Sequence, residues 1–149
     1  MNDRAITPNR IWFRFLRMHQ RMHSAMTARL RSIGLSVAQF DLLSTLTESD
    51  GMTQRDLAER LYVTKGNVSG LVDRLVEAGM LDRKPVPGDR RSHSLHLTPE
   101  GRRLALEGMA LQTRFIEESI GQLPAQDLHA LDAIMTRWRD IYRSLDAKE

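Results

Sequence analysis

The 149-residue sequence contains no cysteine. Disulfides, thiol nucleophiles and thiol-based redox sensing are excluded together, so any switch must work by ligand, metal or pH. No run of about 18 apolar residues occurs, so no membrane-spanning helix is expected. The opening MNDRAITPNR lacks the apolar segment of a secretory signal, and a cytoplasmic location is expected. Acidic side chains are scarce at one end: residues 1–31 hold seven Arg and only Asp3. No nucleophile–base pair, phosphate-binding glycine loop or closed set of metal ligands is evident. No catalytic residue, cofactor or enzymatic activity is therefore expected. Internal repeats, linkers and low-complexity segments are also missing.

What remains is an ordinary composition, 41% hydrophobic and 28% charged, in a chain long enough to bury a core as one domain. The net charge is only +3, but it is unevenly spread. Basic residues gather in the first 31 positions and in a short burst over 83–91, and such patches suit phosphate. A solvated helix face explains them equally well on composition alone.

Six helices and a small β hairpin follow from local signals. Thr7-Pro8 opens the first helix as cap and first-turn proline. Apolar residues then recur at Ile11, Phe15, Met18, Met22, Met26, Leu30 and Ile33, one helical face, until Gly34 ends it. Ser36 caps the second helix, with Gln39 completing a capping box and Leu35 and Phe40 a hydrophobic staple. Thr53 caps a short third helix, with Asp56 in its first turn. Thr64 is expected to cap the fourth, over about residues 64–78, with Val68, Leu71, Val72 and Leu75 facing inward. Gly79 ends it. A strand over 81–84, a tip of Pro85, Pro87 and Gly88, and a return strand over 92–97 form the hairpin. On the return, Ser94 and His96 are expected to face solvent and His93 the sheet edge. Thr98-Pro99 opens a fifth helix to about residue 120. The sixth carries Leu128, Leu131, Ile134, Met135, Trp138, Ile141, Tyr142 and Leu145, a stripe long enough to suggest an interface shared with the first helix.

Helix, turn, helix, strand, basic hairpin, strand is the order of a winged helix-turn-helix. The fourth helix is then the DNA reader, since a helix fits the major groove and its N-terminal residues reach base edges. Thr64, Lys65, Asn67 and Ser69 are the candidate base contacts. Gly66 and Gly70 would let the backbone approach a partner, or let the helix pack on the third. Thr53 and the adjacent Gln54 sit where helix N–H groups can meet phosphate. Arg74 suits phosphate or a buried ion pair. On the hairpin, Arg90 and Arg91 are candidate DNA contacts, one of them for a narrow minor groove, with Asp89 as an orienting partner.

The block GLVDRLVEAGMLDRKPVPGDRRSHSLHLTPEGRRL resembles the signature of the MarR family of bacterial transcription regulators, through DRLVEAGML, the DRR of the wing and LTPEG. The resemblance implies a mainly α fold with a small β wing, and a homodimer held by N- and C-terminal helices. Residues 1–34 and 99–149 would form the dimerisation part and residues 35–98 the DNA-binding unit. It further implies double-stranded DNA with a pseudo-palindromic operator as partner, and repression released by a small aromatic, phenolic or anionic molecule. The peroxide-sensing branch of the family uses a cysteine near the start of the chain, and this sequence has none. Asp41 and Arg74 resemble an acid–arginine pair of the urate-responsive branch, with Arg83 a loose match to a further arginine. A structural Asp41–Arg74 ion pair is expected.

A ligand pocket between the first helix and the reading unit would draw on Trp12, Phe15, His19, His23, Phe40 and Asp41. His19 and His23 also have zinc-compatible spacing, which gives a metal-responsive regulator as one alternative. A winged-helix module that binds protein and not DNA is another.

Overall fold

The computed structural model describes residues 5–62 and 66–146. Two compact units divide the chain after Gln112. In the first lie α1 (Pro8–Arg31), α2 (Val37–Glu48), α3 (Gln54–Arg60), α4 (Val68–Glu77), β1 (Leu81–Val86), β2 (Asp89–Leu97) and most of α5 (Pro99–Glu118). The second holds the end of α5, a 3-10 turn (Ile120–Gln122) and α6 (Ala125–Asp146). Six helices and a two-stranded wing are thus present as expected.

The helix starts follow the capping chemistry. The Thr7 hydroxyl accepts from the Arg10 N–H, and Ser36 and Gln39 form the reciprocal capping box. Thr53 accepts from the Asp56 N–H at 3.1 Å. Each cap is worth about 1 kcal/mol, less than the packing it directs. That packing joins Leu30 of α1, Leu35, and Phe40, Leu42, Leu43 and Leu46 of α2. Leu57, Leu61, the inner face of α4, Leu81, Leu95, Leu104 and Ala105 complete it. A fully buried leucine contributes on the order of 1.5–3 kcal/mol. This core holds α2, α3, α4 and the base of the wing as one body, which fixes the helix-turn-helix and the wing relative to one another.

Two glycines let α5 close against that body. The Thr98 N–H donates to the Met80 carbonyl at 3.2 Å, and its hydroxyl donates to the Gly79 carbonyl at 2.7 Å. The same hydroxyl accepts from the Gly101 N–H at 3.0 Å. A Cβ on Gly101 would drive into the Met80 carbonyl, and one on Gly108 would stand 2.6 Å from the Phe40 ring.

The wing pairs Leu81 with Leu97 through Pro85 with His93, slips by a bulge after Pro85, and pairs Val86 with Asp89. The first strand is therefore two residues longer than expected, and the tip is Pro87-Gly88 alone. Gly88 has φ +82°, the conformation a proline–glycine turn requires at its second position. Pro85 is tolerated because β1 is an edge. Strand β2 is not an edge at its base. On its other side the Gly51 N–H donates to the Leu95 carbonyl and the Leu95 N–H to the Met52 carbonyl. Thr53 bridges Ser94.

That second neighbour corrects the expected orientation of His96 and Ser94. Both are half-buried. His96 Nε2 lies 2.9 Å from Ser94 Oγ and Nδ1 3.4 Å from Asp50 Oδ2, with the ring over Gly51. Asp50 Oδ1 accepts the Leu97 N–H at 2.7 Å. The segment leading into α3 is thereby buckled to the wing, a cover that strand alternation alone does not reveal.

Candidate nucleic-acid interface

The reading helix starts later than expected. Gly66 precedes it, and Val68 is its first residue, with Asn67 as the cap. The Asn67 side-chain oxygen accepts from the Gly70 N–H at 2.9 Å. Thr64 and Lys65, expected as cap and base contact, lie outside the described residues. Asparagine is at least as good a cap as threonine, and this cap places Val68, Leu71, Val72 and Leu75 in the core. Asn67 has its oxygen committed to the helix end, leaving its amide N–H groups as donors.

Gly70 has a structural reason. A Cβ there would stand 3.0 Å from the Asn67 carboxamide carbon, so glycine makes room for the cap. Gly66 is different: nothing lies within 4 Å of a Cβ built on it. Ser69 and Arg74 are exposed on α4.

The expected Asp41–Arg74 ion pair is replaced by another arrangement. Asp41 is 5% exposed and accepts the backbone N–H of Tyr62 at 3.1 Å. The charge partner of α4 is Arg83 of β1, which binds Asp73. Both interactions tie α4 and its turn to neighbouring elements.

On the wing, Asp89 Oδ1 accepts the Arg91 N–H at 2.9 Å and Oδ2 accepts the Ser92 hydroxyl at 2.6 Å. The Ser92 hydroxyl, and then the Arg91 N–H, hold the Asp89 carboxyl below the usual carboxylate range. Asp89 orients the wing backbone, while Arg90 and Arg91 are exposed beside it. A cleft of about 360 Å³ is lined by Thr53, Gln54 and Arg55 of the α3 start, Val68 of α4, and Arg91 and His93 of the wing, among others. Three residues expected to meet DNA, Thr53, Gln54 and Arg91, are thus brought together. Arg55 and His93 were not anticipated there. Arg55 had a usable signal, as a cation in the first turn of a helix whose cap already pointed to phosphate.

The six residues expected to line an effector pocket are not brought together in the same way. Phe40 is buried in the core against Gly108, and Asp41 holds the Tyr62 turn. Trp12, His19 and His23 are exposed on α1 and Phe15 is half-buried. Phe15, His19 and His23 form a ladder of rings with centroids 6.3 and 6.5 Å apart. Of the six, only His23 lines a cleft of about 500 Å³, with Thr27, Arg31 and the turn into α2. Among the described residues no group of three or more His, Asp or Glu is placed to hold a metal ion.

The sequence model of the MarR family matches residues 33–92, the span from the end of α1 to the return strand of the wing. An uncharacterized HTH-type transcriptional regulator of Bacillus cereus is 29% identical over 125 residues, 81% of this chain and 83% of that one. The crystal structure of AbsC, a MarR family transcriptional regulator from Streptomyces coelicolor, superposes with a TM-score of 0.79 at 23% identity. That match covers 95% of this chain and 99% of AbsC. The organohalide-sensing regulator RdhR, in its 2,4-dichlorophenol-bound form, matches with a TM-score of 0.75 at 16% identity over 94% of this chain and 88% of its own. No helix of the described residues is long and apolar enough to cross a membrane. The helix-turn-helix and wing thus match the MarR family in sequence, and the architecture along the chain is the fold of solved MarR family transcription regulators.

Proposed function

We propose that this regulator is a cytoplasmic homodimer that binds a pseudo-palindromic operator and represses until a small aromatic, phenolic or anionic molecule releases it. The observation that carries the DNA reading is the convergence of Thr53, Gln54 and Arg91 on one cleft, with Ser69 and Arg74 exposed on α4 and Arg90 exposed on the wing. Phosphate contacts from α3 and the wing would set the register, and the start of α4 would read bases. Gly66 and Asn67 belong to that reading edge.

Two copies are favoured by the apolar surface of the terminal elements. Ile11, Met18 and Met22 of α1 are exposed, and α6 buries no residue while carrying Ile134, Met135, Ile141 and Leu145. Residues 1–34 and 99–149 would supply the dimer interface and residues 35–98 the reading unit. A twofold axis would then set two α4 helices about 34 Å apart, one turn of DNA. The effector class rests on RdhR, crystallised with a chlorinated phenol, and on the lack of any thiol here.

Selection of bound duplexes from a random pool, at salt near physiological, tests this reading. Enrichment of a twofold-symmetric site, bound by a dimer and released by salicylate-like acids or chlorophenols, is the expected result. Weak, sequence-independent binding even at low salt would favour the protein-binding alternative and overturn the operator reading.

A further inference from the structure

Of the large hydrophobic side chains described, Tyr62 is the most exposed, at 81%. Its exposure follows from how its neighbours are held. Leu61, one residue earlier, is buried in the core, and the Tyr62 N–H is tied to the buried carboxylate of Asp41. The Asp41 carbonyl in turn accepts the Thr45 hydroxyl at 2.7 Å. Backbone anchors on the inner side leave the side chain only the outer one. Among the described residues the ring and hydroxyl of Tyr62 have no hydrogen bond or ring contact.

Its place in the chain suggests what covers it. Tyr62 lies two residues beyond the end of α3 and six before the start of α4, within the helix-turn-helix itself. From Leu61 to Val72 the sequence contains no acidic residue, so nothing in this stretch repels phosphate. Tyrosine suits such a position: its hydroxyl donates to a phosphate oxygen while the ring covers the sugar. We infer that Tyr62, with its backbone fixed by Asp41, is a DNA-backbone contact that sets how the reading helix seats in the groove. This rests on the DNA-binding reading above.

The chain has two tyrosines, Tyr62 and Tyr142 of α6, so 3-fluorotyrosine labelling gives two fluorine resonances, assigned with Tyr62→Phe and Tyr142→Phe. Titration with a duplex, random or selected, should shift the Tyr62 signal and leave Tyr142 as reference. Tyr62→Ala should weaken both kinds of duplex by roughly three- to tenfold, within the range of one lost contact. The slope of log K against log salt should not change, because a neutral side chain releases no counterion. Arg90→Ala, by contrast, should reduce that slope by about 0.9. Duplex binding with a silent Tyr62 signal overturns the inference and leaves the DNA reading standing. So does a shift accompanied by unchanged affinity in Tyr62→Ala. A Tyr62 signal that moves on dilution of the free protein, and not with DNA, assigns the ring to a second copy and overturns it too. No binding to any duplex overturns both readings.

Discussion

Gly101→Ala should destabilise the protein although it replaces glycine by the best helix former. Gly101 is the third residue of α5, and its position is set by three hydrogen bonds that tie Thr98 to Met80, Gly79 and Gly101. A Cβ there would stand 2.9 Å from the Met80 carbonyl carbon and 3.3 Å from its Cα, and nearer still to the oxygen. Ordinary carbon–carbon contact is ~3.5–4.0 Å, so α5 must withdraw by roughly half an ångström or more. The obstacle is backbone at the α4–β1 corner, which no rotamer change can move aside. Overpacking of this kind costs about 1–3 kcal/mol. Loss of the Thr98–Met80 hydrogen bond adds about 1 kcal/mol. Relief of glycine's entropy in a helix returns ~0.5–1 kcal/mol. The net is a loss of about 1–3 kcal/mol, or roughly 2–12 °C in Tm for a chain of this size. Urea unfolding followed by circular dichroism measures it, at one fixed protein concentration, since association in the proposed dimer would contribute to stability. A Gly101→Ala protein as stable as the parent would refute the close approach of α5 to Met80.

Gly66→Ala meets open space and should leave Tm within a degree or two, while operator affinity falls if the backbone at this glycine lies against DNA; fluorescence anisotropy and a thermal melt separate the two effects. Asn67→Ala should cost about 1 kcal/mol through the lost cap, whereas Asn67→Ser should restore stability without restoring preference for the selected operator over variants at the contacted base. Asp89, whose carboxyl is held low, contributes to the wing while ionised. That contribution should be complete above the ordinary aspartate value near ~4 and lost as pH falls through the lower folded value, seen as loss of exchange protection at the Arg91 N–H after correction for intrinsic rate, and absent in Asp89→Asn.

The parts of this fold that could be read from sequence are those decided within a few residues. Thr7, Ser36, Thr53 and Thr98 are caps because a hydroxyl and an N–H three positions on are neighbours in any helix start. The inner face of α4 was legible for the same reason, as steps of three and four. The start of α4 was not, because Thr64 and Asn67 both satisfy the local rule and the choice depends on where the core holds the helix. The partner of Asp41 was also hidden. An arginine in the reading helix advertises itself by type, but the N–H of Tyr62, 21 residues away, is a group every position offers. His96 was misjudged because alternation describes one face of an isolated hairpin, while Gly51–Thr53 adds a neighbour along the far side of β2.

The same distinction explains what the terminal helices say. A stripe at helical spacing states that a face is to be buried, and α6 has one from Leu128 to Leu145. Among the described residues, the 16 buried hydrophobic ones all lie between Leu30 and Ala105, and none belongs to α6. Ile134 remains 50% and Ile141 58% exposed. Isolated apolar residues on a surface need no explanation, but a continuous stripe on a helix does. The winged unit already satisfies its own core, so that stripe adds nothing to reading DNA by one copy. In the proposed dimer it would fix two reading units at one spacing, and a molecule that altered how those helices pack would alter the spacing as well. Recognition and release would then be two consequences of one interface, and the specificity of α4 would depend on more than the residues of α4.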